Sequence, residues 1–153
     1  MSIVTLESIK TELDRLNQMV SEMETKKLFE RIVNQPAQTF TLAPGEHDAG
    51  IIIGKNGEPS YRLILLPGEQ EKIQWQDAMD WAKSIGGELP NRREQSLLIA
   101  NLKDLFEPEW YWSSEVHESD SDYAFIQYFN DGNQYCYYED HEYRARAVRR
   151  LVI

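Results

Sequence analysis

Carboxylates carry most of the chemical potential of this sequence. Glu115, Glu118, Asp120 and Asp122 lie close together, and Glu139, Asp140 and Glu142 form a second group. Oxygens so clustered suit Ca²⁺, which takes about six to eight of them, or the acid and base of glycoside hydrolysis. Neither chemistry finds its full pattern. The first group lacks the glycine bend and terminal glutamate of an EF-hand loop, and any acidic chain offers carboxylate pairs. His47, His117 and His141 share no zinc-ligand spacing, and Ser113-Ser114 lacks the strand-to-helix elbow of a hydrolase nucleophile. Cys136, the single cysteine, excludes an intrachain disulfide. It sits between Tyr135 and Tyr137, and its neighbour His141 stands among acids, so it reads as a small side chain on a strand. The expectation is a protein that is not an enzyme and needs neither metal nor cofactor.

The distribution of the acids is more informative than their spacing. From Asp104 to Tyr143 there are eleven Asp or Glu, twelve of the seventeen aromatic residues, and no Lys or Arg. Side chains alternate across a strand, so part of this ring set fills a core and part faces outward. Exposed tyrosines offer large, stiff contact area at low entropic cost, and carboxylates beside them add direction. The expected contact surface comprises Trp110, Trp112, Glu118, Asp120, Asp122, Tyr123, Tyr128, Tyr135, Tyr137, Tyr138, Glu139 and Asp140. A net charge of −10 disfavours direct binding to nucleic acid or to an anionic membrane, because phosphate affinity depends on clustered Lys and Arg. A cationic, carbohydrate or protein partner fits better. The basic run Arg144, Arg146, Arg149 and Arg150 is expected to pair across strands with the neighbouring acids.

Two units must position these residues. The chain's 153 residues can bury one proper core with an appendage. Leu6, Leu13 and Val20 at a, with Ile9, Leu16 and Met23 at d, form a three-heptad seam over residues 1–36, and the charges fall mainly off it. Leu at a with Ile at d favours more than two strands, so a homotrimer is expected. At Lys27 the seam frays towards Leu28, Phe29, Ile32 and Val33, and Asn34-Gln35-Pro36 is expected to end the helix. Residues 37–153 then form the head.

The head reads as strands, then helices, then strands, an α+β order. Thr39 to Leu42 is expected to be a short strand before a Pro44-Gly45 turn. Asn56-Gly57 between apolar runs signals a hairpin. Trp75, Ala78, Met79, Ala82 and Ile85 share one helical face that stops at Gly86-Gly87. Asn91 followed by Glu94 opens a second helix with Leu98, Leu102 and Leu105 inward. Beyond Pro108 come WYWSS, YAFIQYF, QYCYYE and RARAVRRLVI as strands, the middle two joined by Asn130-Asp131-Gly132-Asn133.

The order WQDAMDWAKSIGGELPNRREQSLL, WYWSS, YAFIQYFNDGNQ and RARAVRRL resembles a family of bacterial and phage domains of unknown function with a C-type-lectin-like fold, related to the C-terminal domain of a Legionella collagen-like adhesin. Its members carry a tryptophan-containing helix ending in GG-x-LP, a W-S-S strand, an F-x-D-G turn and a closing V-R strand. The match covers roughly residues 60–151. It implies a C-type-lectin-like head with two helices and a mostly antiparallel sheet, displayed on a phage tail fibre or a bacterial surface. It does not carry over the calcium site of true C-type lectins, because Glu88-Leu89-Pro90-Asn91 has a leucine inserted into their triplet. Nor does it carry over formylglycine-generating activity, which needs more reactive cysteines than Cys136 supplies.

The expected function is therefore a phage or prophage recognition module that binds a cell-surface glycan or protein and gains multivalency from the helix. The alternative is an intracellular phage-encoded inhibitor whose acids mimic nucleic acid towards a host DNA-binding or defence protein. The first residues lack the pattern of a secretory signal, which predicts a cytoplasmic product that stays there or leaves in a virion.

Overall fold

A computed structural model describes residues 4–29 and 37–153. The chain divides into two compact units, Met1–Ala37 and Gln38–Ile153. The first contains α1 (Leu6–Phe29). Thr5 and Ser8 cap its start reciprocally: Ser8 N donates to Thr5 Oγ1 at 3.2 Å and Thr5 N to Ser8 Oγ at 3.1 Å, which satisfies two donors that a helix N-terminus leaves open. All six seam residues face solvent, from 49% exposed at Leu16 to 70% at Leu6. The expected change of seam beyond Lys27 and the stop at Asn34-Gln35-Pro36 lie outside the described side chains and residues. No described helix is long and apolar enough to cross a membrane.

The second unit is α+β with mostly antiparallel pairing. Strands β1 (His47–Ile52), β2 (Tyr61–Leu65) and β8 (Val148–Val152) form a three-stranded sheet ordered β1-β2-β8. Strands β3 (Gln70–Ile73), β4 (Trp110–Val116), β5 (Tyr123–Tyr128), β6 (Gln134–Tyr138) and β7 (Tyr143–Ala145) form a five-stranded one ordered β3-β7-β4-β5-β6. Only the β4–β7 pair is parallel among the described strands. The β1–β2 connection turns at Asn56 (φ 54°) and Gly57 (φ 85°), the left-handed pair that Asn-Gly tolerates.

Helices cover the two faces of the larger sheet. Ala78 and Ala82 of α2 (Trp75–Ser84) pack with Trp112, Ala124 and Ile126, whose positions in β4 and β5 share one face. Gly86 at φ 87° and the Gly87 N–H donated to Ala82 O end α2. Leu98 of α3 (Arg92–Leu102) packs with Tyr111 and Phe129 on the other side, and with Leu63 and Leu65 of β2. At its start Asn91 and Glu94 complete a capping box. Glu94 is fully buried, and Arg150 of β8 grips its carboxylate with two bonds of 2.8 Å.

Several expectations change here. Thr39 to Leu42 forms no strand, whereas Gln70–Ile73 does, pairing with β7. Ile85 is half exposed at the end of α2 rather than on its inner face. The closing RARAVRRLVI run is two strands in different sheets. Between them Arg146 turns inward and donates to Leu105 O and Leu66 O at 2.7 and 2.9 Å. The arginines do not neutralise the acidic region either: Arg144 pairs with Glu69, Arg149 with Glu46, and Arg150 with Glu88 and Glu94. All four of those glutamates precede Asp104 in the chain. They fold back onto β7 and β8 because β2, β3 and α3 pack there.

The hydrogen bond from Arg149 holds the Glu46 carboxyl below its ordinary value, against the opposing effect of burial. A carboxylate depressed on folding contributes stability above its unfolded pKa of about 4.3, and loses it as pH falls through the lower folded value. Arg149 is 30% exposed, so after screening the expected gain is about 0.5 kcal/mol. Glu46→Gln should therefore lower the urea midpoint slightly at neutral pH and leave it unchanged in strong acid. An equal loss under both conditions would contradict this account.

Candidate functional site

The sequence from Asp104 to Tyr143 folds into β4, β5 and β6 with their turns, and β6 is the sheet's edge. Its tyrosines are the most exposed large rings of the head: Tyr135 at 60%, Tyr138 at 47% and Tyr137 at 40%. Strand register explains their grouping. Tyr135 opposes Ile126 and Tyr137 opposes Ala124, on the α2 side, while Tyr138 opposes Tyr123 on the other.

The rings fall into two groups, because Tyr137 and Tyr138 meet edge-on at 6.0 Å and both contact His141. Trp110 stacks on Tyr128 at 5.0 Å and meets Tyr135 edge-on at 5.6 Å. Tyr137 meets His141 at 4.5 Å and Tyr143 at 5.8 Å. Tyr123 and Tyr138 lie 4.3 Å apart. The hydrogen bond between these last two pushes the Tyr123 hydroxyl up to about 12, helped by desolvation and by the neighbouring Tyr138, Asp120 and Cys136. Tyr138→Phe should return that titration towards the ordinary tyrosine value of about 10, visible by ultraviolet difference titration. An unchanged curve would mean that the pair does not share a proton.

Trp112 is corrected to a core residue. It is fully buried, its Nε1 donates to Ile73 O at 2.8 Å, and Tyr143 packs edge-on against it. Trp110 and Trp112 share a face, but Trp112 lies inside the buried cluster with Ala78 and Ala82 of α2, whereas Trp110 packs partly buried against it. Trp110, Tyr123 and Tyr128 are half-buried, so they support the surface more than they form it.

The acids gather only in part. Asp120 Oδ1 accepts the Asp122 N–H at 3.0 Å and Asp120 O accepts the Tyr123 N–H, which turns the chain into β5. Asp122 O accepts the Glu139 N–H at 2.9 Å. Asp122, Tyr138, Glu139 and Asp140 thereby line an open depression of about 300 Å³. Burial, and then the charges of Asp122 and Asp120, raise the Glu139 carboxyl above its ordinary value. Glu118 is exposed and makes no hydrogen bond or ion pair with this group among the described residues. Glu115 is engaged elsewhere, its Oε2 accepting the Arg92 N–H. Among the described residues no three His, Cys, Asp or Glu are placed to hold a metal ion.

None of the eleven acids between Asp104 and Tyr143 forms an ion pair with Lys or Arg among the described residues; Asp140 meets only His141, at 3.2 Å. Around Asp122, Glu139 and Asp140 no Lys or Arg among the described residues lines the depression or forms an ion pair, so a cation arriving there gains attraction without displacing an internal partner.

Sequence reading missed neighbours supplied from a distance. Arg92 lies 3.9 Å over the Phe125 ring and donates to Gln134 Oε1 at 3.0 Å, tying α3 to β5 and β6. Glu71, Lys72, Glu109, Glu142 and Arg144 join Trp110 and Tyr143 around a second opening of about 320 Å³. No local pattern signals either group, because Lys72 lies on a strand too short and polar to show alternation. No protein-family model matches this chain, and no curated protein matches it.

Proposed function

We propose that the head is a non-enzymatic recognition module that binds a cell-surface glycan or protein through the β6 face, and that α1 holds several copies together. One observation carries this reading: three exposed tyrosines on an edge strand stand beside carboxylates that no Lys or Arg of the head neutralises. Rings held by a sheet lose little freedom on binding, and unpaired acids supply orientation. The C-type-lectin-like fold belongs to the same reading. It is supported by the order of the segments and by β2 pairing with β8, which brings the early and late parts of the head together. Display by a phage or prophage rests on the sequence resemblance.

The exposed α1 seam supports self-association, with Leu at a and Ile at d favouring a trimer. Glycan-array and bacterial-cell binding should be strong for the parent chain and lost when Tyr135, Tyr137 and Tyr138 become alanine in a protein that still melts cooperatively. Retained binding would exclude this face. A second reading, inhibition of a host DNA-binding or defence protein by nucleic-acid mimicry, is favoured by the same uncompensated carboxylates. Capture of a DNA-binding protein that salt releases would promote it above the first.

A further inference from the structure

The edge of the large sheet at β6 is built differently from the edges that proteins usually protect. Unpaired strand edges recruit other strands, and native sheets blunt them with bulges, short length, Pro or Lys. At the opposite edge β3 is four residues long, carries Glu71 and Lys72, and shifts register between Gln70 and Ile73. In the smaller sheet β1 shifts register between Asp48 and Gly50. By contrast β6 pairs with β5 through five successive residues without a shift, and contains no Pro, Lys or Arg.

The hydrogen-bond phase shows which groups are free. Tyr128 N donates to Asn133 O at 2.8 Å and Glu139 N to Asp122 O at 2.9 Å, at the two ends of the β5–β6 pair. Antiparallel ladders alternate bonded and non-bonded pairs. Asn133, Tyr135, Tyr137 and Glu139 therefore address β5, and the N–H and C=O of Gln134 and Cys136 point out of the sheet with the Tyr138 N–H. None of these has a hydrogen-bond partner among the described residues, whereas Tyr138 O accepts from His141 N at 3.1 Å. The pattern has the spacing an added strand requires. Tyr135 and Tyr137 wall it on one face and Tyr138 on the other.

Charge selects the occupant. The edge runs into the depression lined by Asp122, Tyr138, Glu139 and Asp140. A second copy of β6 laid antiparallel would bring Glu139 and Asp140 towards the partner's Asp131, at the far end of its strand, and like charges across a pair are destabilising. A strand bearing Lys or Arg meets the opposite situation. We propose that β6 accepts an extended, Lys- or Arg-bearing peptide segment as a sixth strand of the sheet, with one cationic side chain seated in that acidic depression. This inference rests on the recognition reading above and specifies a protein rather than a glycan as the partner.

The test is selection from a randomised octapeptide library on the full chain, followed by amide hydrogen exchange read by NMR. Enrichment of Lys or Arg among alternating β-branched residues is expected. The selected peptide should slow exchange at Gln134, Cys136 and Tyr138 about tenfold or more, while Tyr135 and Tyr137 are already slow in the free chain. The same peptide N-methylated on the residues that face β6 should give no protection, and this control leaves the protein untouched. Failure to enrich, enrichment of acidic peptides, equal protection by the N-methylated peptide, or three amides already slow in the free chain would each overturn strand addition. Loss of glycan or cell binding in the triple alanine variant, with no enrichment from the library, would overturn strand addition while leaving the recognition face standing.

Discussion

A chain carrying Leu13→Glu and Leu16→Glu is expected to bind a dense target surface about 10²- to 10⁴-fold more weakly than the parent, because avidity is lost while each head keeps its own affinity. In α1 the side chains of Leu13 and Leu16 are 55% and 49% exposed, so apolar area remains to be buried against another copy. A helix of 24 residues supplies about three heptads, enough for a short coiled coil. Glutamate is a good helix former, so the substitutions remove the seam's apolar character without breaking the helix. Light scattering should show an oligomer for the parent and a monomer for the variant, with binding to a sparse target unchanged. A monomeric parent would remove self-association from the account.

The second large effect concerns the junction of α3 with β8. Replacing Arg150 with Ala should cost about 3–5 kcal/mol, the range for a buried carboxylate deprived of its partner. Glu94 is fully buried; its Oε1 accepts from Asn91 N at 2.9 Å and Arg150 Nη2 at 2.8 Å, and its Oε2 from Arg150 Nε at 2.8 Å. Without Arg150 the charge keeps its bond to the cap and loses both guanidinium bonds. Domains of this size hold about 5–15 kcal/mol in total, so the variant should unfold at a much lower denaturant concentration. Adding Glu94→Gln to Arg150→Ala removes the stranded charge and keeps an acceptor for Asn91 N, so that pair should recover much of the loss. Equal instability of the single and double variants would show that packing around Arg150, rather than the ion pair, is what matters.

What could be read in advance was what depends on near neighbours in the chain. The Asn91–Glu94 capping box, the Gly86-Gly87 stop and the Asn56-Gly57 turn are each decided within a few residues, and all three are present. The burial of Trp112 depends instead on α2, about thirty residues earlier in sequence. Alternation fixes which face Trp110 and Trp112 share, but not which of them lies beneath Ala78 and Ala82. The partners of Arg144, Arg149 and Arg150 are equally distant in sequence, and β3 is too polar to announce itself before β7 pairs with it. The candidate surface was legible in composition: the crowding of rings and acids without Lys or Arg falls on β4, β5 and β6. Their division into covered and exposed rings was not, because it is set by where the helices end.

The central claim is that Tyr135, Tyr137 and Tyr138 form a binding surface with the acids beside them. Its most direct measurement is the binding of the parent and of the Tyr135→Ala, Tyr137→Ala, Tyr138→Ala chain to intact bacterial cells, with thermal melts confirming that both are folded. The account predicts that the parent binds and the variant does not. Undiminished binding by the folded variant would contradict it.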